Sequence, residues 1–419
     1  MQTYQYHKSH ELFEKAARVI PGGVYGHLGI AGGRRYIPAS AYPFFAERAK
    51  GAYLWDVDGN RFLDYMCAYG PNVLGYADED VDQAAIRQAA IADCTTLPSR
   101  LLVDLAELLV DTVASADWAF FAKNGGDVTT LAVMSARAAT GRKKVMFLKG
   151  YYHGVAPWAH THEEPGVLQE DVSNNILVEW NNFERLEEVV RNNKGEVAAL
   201  IATPYYHSVF EDNKMPAKDY WQKVRKLCTD NNIVLIFDDV RCGFRLDMAG
   251  SDHYFGIKAD LICFCKAIAN GWSLSALCGS DSLKGAVQSV FYTGSYWMSS
   301  VSFAAAIATI NKLKRINGVE LMNDIGTRLT TGLSAVAKSN GFNLVASGAP
   351  SLFYLRIADD ESLMLHQEWA AECVKRGLFV SHYHNMFINC AMGDEEINFS
   401  LDVADEAFRA VKRSHPEYA

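Results

Sequence analysis

No stretch of the 419-residue sequence holds the roughly 18 consecutive apolar residues that a membrane-crossing helix requires, so no such span is expected. The opening Met1-Gln2-Thr3-Tyr4-Gln5 lacks the apolar segment of a secretory leader. The nine cysteines are scattered, odd in number and free of any Cys-x-x-Cys pair. That usage argues against a disulfide framework and a cysteine-held metal, and fits a reducing cytoplasm. Proline is scarce, at 11 residues, and there is no Pro/Ser-rich linker, repeat or low-complexity tract. Basic excess is missing too. The net charge of -9 argues against nucleic acid or an anionic membrane as a partner.

What is present is a large apolar fraction, 49%, enough for a core without staples and for two or three lobes. Residues 8–20 read as an amphipathic helix stopped by Pro21-Gly22-Gly23. Residues 41–66 read as β-structure, with a hairpin turning at Asp58-Gly59-Asn60. From about 80 to 300, short apolar strands alternate with helices. The strands are expected at 144–148, 197–202, 233–238 and 261–265, and the helices from Asn124 through Arg137 and over 217–231. Near-continuous apolar strands in such an alternation imply a mostly parallel sheet covered on both faces, an α/β fold. After about 305 come helices at 301–315, 318–339 and 361–376, strands near 343–347 and 351–357, and a last helix from Asp402 to Arg413. The expected organisation is a large domain over 76–305 and a smaller α+β domain over 306–419, with segment 1–75 packing on the smaller one.

Four local features carry chemistry. Val234-Leu235-Ile236-Phe237-Asp238-Asp239-Val240 ends a buried strand in acid, at the carboxyl edge where open α/β sheets bind ligands. Lys266 follows the next apolar run, 28 residues after Asp238. A carboxylate for a pyridinium nitrogen and a desolvated amine for a Schiff base are what pyridoxal phosphate chemistry requires. The bland readings are a cap or ion pair for the acid and a snorkelling side chain for the lysine. Asn124-Gly125-Gly126-Asp127 opens a helix, where close backbone approach and free N–H groups suit a phosphate; an ordinary turn capped by Asp127 would look the same. Tyr152, in Gly150-Tyr151-Tyr152-His153-Gly154, follows a strand and offers a ring to stack on a planar cofactor, or simply a loop aromatic.

In order and spacing these features resemble the class III pyridoxal-phosphate-dependent aminotransferases of fold type I, and in particular glutamate-1-semialdehyde aminomutase. Pro21-Gly22-Gly23-Val24, Tyr53-Leu54-Trp55-Asp56-Val57-Asp58-Gly59-Asn60, Gly70-Pro71-Asn72-Val73-Leu74-Gly75 and Ala136-Arg137-Ala138-Ala139-Thr140-Gly141-Arg142 extend the resemblance over most of the chain. It implies a large, mostly parallel seven-stranded-type sheet domain with a smaller α+β domain. It implies pyridoxal 5'-phosphate as cofactor and no metal. Gly125 and Gly126 would bind its phosphate by backbone, Tyr152 would stack on its ring, Asp238 would hold its nitrogen and Val240 would cover its other face, with Asn124 and His153 also among the cofactor-binding residues. Lys266 would form the Schiff base and shuttle protons. Gly294-Ser295 stands where the family has Gly-Thr reaching the neighbouring subunit's phosphate, which implies a homodimer with shared active sites.

The departures bear on substrate. Gly126 replaces a hydroxyl residue of the phosphate loop. The aminomutases' carboxylate-gripping arginine falls at Gly29, in Gly26-His27-Leu28-Gly29, and His384 replaces an acidic residue. His27, Tyr69, Trp297 and His384 are the candidate substrate-pocket residues. The expected activity is transfer of an amino group from an amino-acid donor to a keto or aldehyde acceptor. An aminomutase or an amino-acid racemase on the same site is the alternative, and a non-catalytic module of the same fold is a third reading.

Overall fold

Residues 3–24 and 42–415 are described by the computed structural model. Among them, the apolar runs in the middle of the chain form one seven-stranded sheet. Its order is Trp118–Ala122, Ser275–Gly279, Leu261–Phe264, Val234–Asp238, Val197–Ala202, Lys144–Leu148 and Asn175–Val178. From Leu261–Phe264 to Asn175–Val178 every neighbouring pair is parallel, and Ser275–Gly279 alone runs against both its neighbours. Strands Val197–Ala202, Val234–Asp238 and Leu261–Phe264 are buried at every position, as strands covered on both faces must be. This is the α/β architecture expected from the sequence.

The sheet belongs to a unit made of Glu79–Ser208 and Lys214–Val319. Its helix Gly125–Thr140 buries Val128, Leu131, Ala132 and Ala136 in one cluster with Val145, Ile201, Ile236 and Leu277 of the strands. This helix runs three residues past the Arg137 end expected from the sequence. Gly141, at φ 68, closes it by donating its N–H to the Arg137 carbonyl. Arg142 then donates Nη1 to the carbonyls of Val197, Asn231 and Asn232 at 3.0, 2.9 and 3.0 Å, tying helix end to strand start. The unit runs on to Val319, past the 305 boundary read from the sequence. The reason is helix Ser300–Arg315, which buries Phe303, Ala306 and Ile310 and packs against helix Glu79–Ala89.

The second unit comprises Met1–Asp78, Val209–Asn213 and Glu320–Ala419. It holds the four-stranded sheet Ala46–Lys50, Tyr53–Asp56, Arg61–Asp64, Leu378–Phe379 and the three-stranded sheet Leu344–Ala349, Leu352–Ile357, Met386–Phe387. The hairpin turns where the sequence placed it. The Asp56 carboxylate accepts N–H bonds from Asp58 and Asn60 at 3.0 and 2.8 Å, and Gly59 takes φ 89. The last helix starts at Asp394, eight residues before the expected Asp402. Glu396 accepts the Gly393 N–H at 2.9 Å, and three acids in the first turn favour the helix N-terminus.

The core of this second unit carries a fully buried imidazole. His366, in helix Met364–Val374, stacks on Trp369 at 5.8 Å, and neither ring nitrogen has a hydrogen-bond partner among the described residues. Burial, then the nearby His382, pull its pKa from 6.5 down to about 3; burial takes His382 to about 4. Both rings are neutral in the fold and bind protons more readily once unfolded. Their contribution to stability is therefore present above about 6.5, and is lost as pH falls towards the folded values. The urea midpoint of unfolding is expected to drop steadily between about pH 6.5 and pH 4, with a shallower drop in His366→Leu. Identical slopes in the two proteins would contradict this assignment.

Candidate active site

Strand Val234–Asp238 delivers two adjacent carboxylates to its carboxyl edge, and alternation sends them apart. Asp238, 3% exposed, takes the Nδ1–H of buried His153 on Oδ2 at 2.6 Å and the Val240 N–H on Oδ1 at 3.2 Å. Asp239, 1% exposed, turns to Ser251 and accepts its N–H at 2.9 Å and its hydroxyl at 2.5 Å. Burial pushes Asp239 up to about 7, against the pull of Ser251. Of the pair, Asp239 anchors the short helix Ser251–Tyr254 and Asp238 pairs with His153.

Lys266 lies beyond the neighbouring strand, Leu261–Phe264. The ladder pairs Asp238 with Cys263, which puts the lysine on the same carboxyl edge. It sits at φ 41, in the left-handed region that a side chain enters only at a cost, at the start of a single 3-10 turn. Burial, then the Arg241 cation, lower its amine from 10.5 to about 7, with Arg245 adding to the effect and Cys265 and Asp238 opposing it. A free amine near neutral pH is a nucleophile and a base.

Asn124 leads into helix Gly125–Thr140, and the Asp127 carboxylate accepts the Asn124 and Lys123 N–H groups at 2.7 and 3.2 Å. The first turn is built for close approach. A Cβ on Gly125 would stand 2.9 Å from Val240 Cγ1, and one on Gly154, at φ 112, only 2.6 Å from Gly126 Cα. The Thr129 hydroxyl donates to the His153 carbonyl at 2.6 Å, pinning the 153–154 loop to the helix. Asn124, Gly125, Gly126, His153, Asp238 and Val240 are thus brought together, with Lys266 on the adjoining strand end.

The other expected residues are placed as follows. Tyr152 is 57% exposed, while its neighbour Tyr151 stacks on the His153 ring at 5.2 Å and 12°. Ser295 is exposed. Trp297 packs edgewise on Phe120 and against Tyr292, and Gly294 is required because a Cβ there would meet the indole at 2.4 Å. Tyr69 and His384 belong to the second unit and contact each other edge-on at 5.3 Å. His384 donates Nδ1–H to the Asn385 carbonyl at 2.7 Å. Tyr69 closes a run of three left-handed residues, with φ 46, 55 and 65 at Cys67, Ala68 and Tyr69, each costing about 1–2 kcal/mol. The nearby Asp64 carboxylate, which accepts the Met66 N–H at 2.8 Å, helps hold that run. His27 lies outside the described residues. Among the described residues no cluster of His, Cys, Asp or Glu is arranged to hold a metal.

These residues fit pyridoxal phosphate. The glycine cradle at a helix N-terminus suits the phosphate, and each Asp238 oxygen keeps a lone pair for the ring N–H. The amine of Lys266 is in reach of the same edge, and the His153 Nε2 is a buried polar atom with no partner among the described residues. The family model for class III aminotransferases matches residues 36–391. The chain belongs to the class III aminotransferases. It is 40% identical to the aminopentol aminotransferase of Sphingopyxis macrogoltabida, over 96% of this chain and 94% of that protein. It is 31% identical to the glutamate-1-semialdehyde 2,1-aminomutase of Methanococcoides burtonii, over 90% of each. The structure of the FumI protein of Sphingopyxis sp. MTA144 in its pyridoxal phosphate internal aldimine form matches with a TM-score of 0.93 and 39% identity. That match covers 99% of this chain and 100% of that one. The protein is a pyridoxal-phosphate-dependent aminotransferase.

Sequence reasoning missed two features of this aminotransferase's site. It did not pair His153 with Asp238, although the two types flank strand ends that neighbour the same sheet edge. It also passed over Arg241 and Arg245. Their signal was two arginines directly after an apolar strand, a costly place for charge unless it is used. The glycine cradle is directly testable. Gly154→Ala should weaken pyridoxal phosphate binding by about tenfold or more in equilibrium dialysis, since strain of about 1–3 kcal/mol falls on the phosphate loop. Gly285→Ala, where an added Cβ meets nothing, should leave binding unchanged.

Proposed function

We propose that Lys266 is the amine that carries the cofactor and moves the proton, with Asp238 holding the ring nitrogen. The observation that supports this most is the juxtaposition of the His153–Asp238 contact, at 2.6 Å, with a lysine whose amine is lowered to about 7 on the next strand end. Pyridoxal phosphate, when bound, supplies the carbonyl that accepts the amino group and the ring that takes up the electron pair of the broken C–H bond. The chain's own residues do the rest. Lys266 Nζ, as free base, accepts the proton from the substrate carbon beside nitrogen and later returns one. Asp238 keeps the ring nitrogen protonated, and His153 fixes the carboxylate from behind. The N–H groups of Gly125 and Gly126 hold the phosphate, with Val240 and Tyr152 against the two ring faces.

The exchange we propose runs between an amino acid and its keto acid on one side and a hydroxylated amine of the aminopentol kind and its carbonyl partner on the other. The 40% identity to an aminopentol aminotransferase supports this. So does Gly29, standing where the aminomutases have the arginine that grips a substrate carboxylate. The rearrangement of an aminomutase is the second reading, and similarity to such an enzyme favours it. We also infer a homodimer. Phe291 and Tyr296, 91% and 64% exposed, flank Gly294-Ser295, the segment that would reach a neighbouring subunit. Nine free cysteines support a reducing cytoplasm as its location.

Incubation with a hydroxylated primary amine and pyruvate should give alanine and the carbonyl product in equal amounts. Product formed without consumption of keto acid would favour the aminomutase reading instead. Lys266→Ala should retain pyridoxal phosphate noncovalently and lose turnover by at least about a thousandfold. Near-normal rates in that variant would overturn the role given to Lys266.

A further inference from the structure

Two segments run in step past the strand ends that bear the carboxylate and the lysine. Asp238 pairs with Cys263, and each chain continues three residues, to Arg241 and to Lys266. They are pressed together. Phe244 stacks on Phe264 at 5.1 Å, and a Cβ on Gly243 would meet the Phe264 ring at 2.6 Å. Arg241 is braced from a third strand end. Its Nη1 donates to the His207 carbonyl at 2.9 Å and to His207 Nδ1 at 3.1 Å. The second bond fixes the imidazole with its Nδ1 lone pair towards the guanidinium.

We propose that Arg241, braced on His207, is a positioning residue for the lysine: a fixed cation that holds Lys266 Nζ in its free-base form. The inference rests on the reading of Lys266 as the cofactor-bearing amine. An arginine suits the task because its guanidinium stays charged when buried, whereas a second amine would share or lose the proton. The balance of charge at the edge agrees. Arg241 and Arg245 disfavour a proton on Lys266, and Asp238 and the Cys265 thiol favour one. Around Arg241 stand His207, Tyr205, Tyr152, Cys242 and Asp238. Asp239, which would tip the balance the other way, is turned to Ser251. Burial alone would also disfavour the ammonium, and neutralising Arg241 separates the two effects.

The test is the rate at which the full-length protein, stripped of cofactor, captures added pyridoxal phosphate as pH is varied, followed by trapping the Schiff base with borohydride at timed intervals. The capture rate of the wild type should rise through a midpoint near the lysine's value of about 7. In Arg241→Gln and Arg241→Met the midpoint should move up by about one unit. Capture at neutral pH then falls about fivefold and recovers in alkali. Arg241→Lys should move the midpoint the same way but by less, because a buried amine shares or loses its proton. Circular dichroism identifies which of the two neutral variants is folded, and either suffices. A folded neutral variant with the wild-type midpoint, or one that is equally slow at every pH, would overturn the proposal. Lys266→Ala serves as the control that separates the two claims. A borohydride-trapped adduct in Lys266→Ala at the wild-type rate would sink the assignment of the lysine itself. An inert Lys266→Ala with unshifted Arg241 variants would sink only the role of Arg241.

Discussion

A carboxylate at the end of a strand buried on both faces has to be paired, because an unpartnered charge there costs several kcal/mol. In this aminotransferase the partner of Asp238 is the His153 imidazole, 2.6 Å away and itself buried. The rest of the crevice is arranged about that contact. The His153 carbonyl is tied by Thr129 to the first turn of the phosphate helix. Gly154, at φ 112, then comes so near Gly126 that a Cβ on it would stand 2.6 Å from Gly126 Cα. Val240, whose N–H completes the Asp238 carboxylate, fills the space over Gly125. One acid thus fixes three separate loops at one sheet edge.

The same edge shows how a fold sorts similar side chains into different work. Asp238 and Asp239 are adjacent in sequence, yet alternation sends one to the crevice and one to Ser251, where it holds a helix start. Arginine and lysine are likewise not interchangeable here. The guanidiniums stay charged when buried, whereas burial and the Arg241 cation lower the lysine to about 7. Lys266 itself sits at a positive φ, a strained conformation beside the strand end that bears Asp238.

Much of this was legible in the sequence. Fully apolar runs such as Val197–Ala202 can only be strands covered on both sides, and their alternation with helices gave the parallel sheet. Asp238 and Lys266 were legible because charge next to such runs is expensive. What stayed hidden depends on contacts between distant positions. His153 is 85 residues from Asp238, and no local pattern joins them. The early start of the last helix at Asp394 was hidden for a local reason: its first five residues, Asp394-Glu395-Glu396-Ile397-Asn398, carry one apolar residue, too few to show a helical stripe. The setting of Trp297 was hidden for the same reason as the His153 pairing. The structure packs it on Phe120 and Tyr292, a contact no sequence period announces.

The central claim is that one amine, among the chain's many lysines, is the group poised to join the cofactor. Reducing the pyridoxal-phosphate-loaded protein with borohydride and mapping the labelled peptide by mass spectrometry tests it without any variant. The account predicts the pyridoxyl group on Lys266 alone. Its recovery on another residue, such as Lys123 beside the phosphate helix, with Lys266 unmodified, would contradict it.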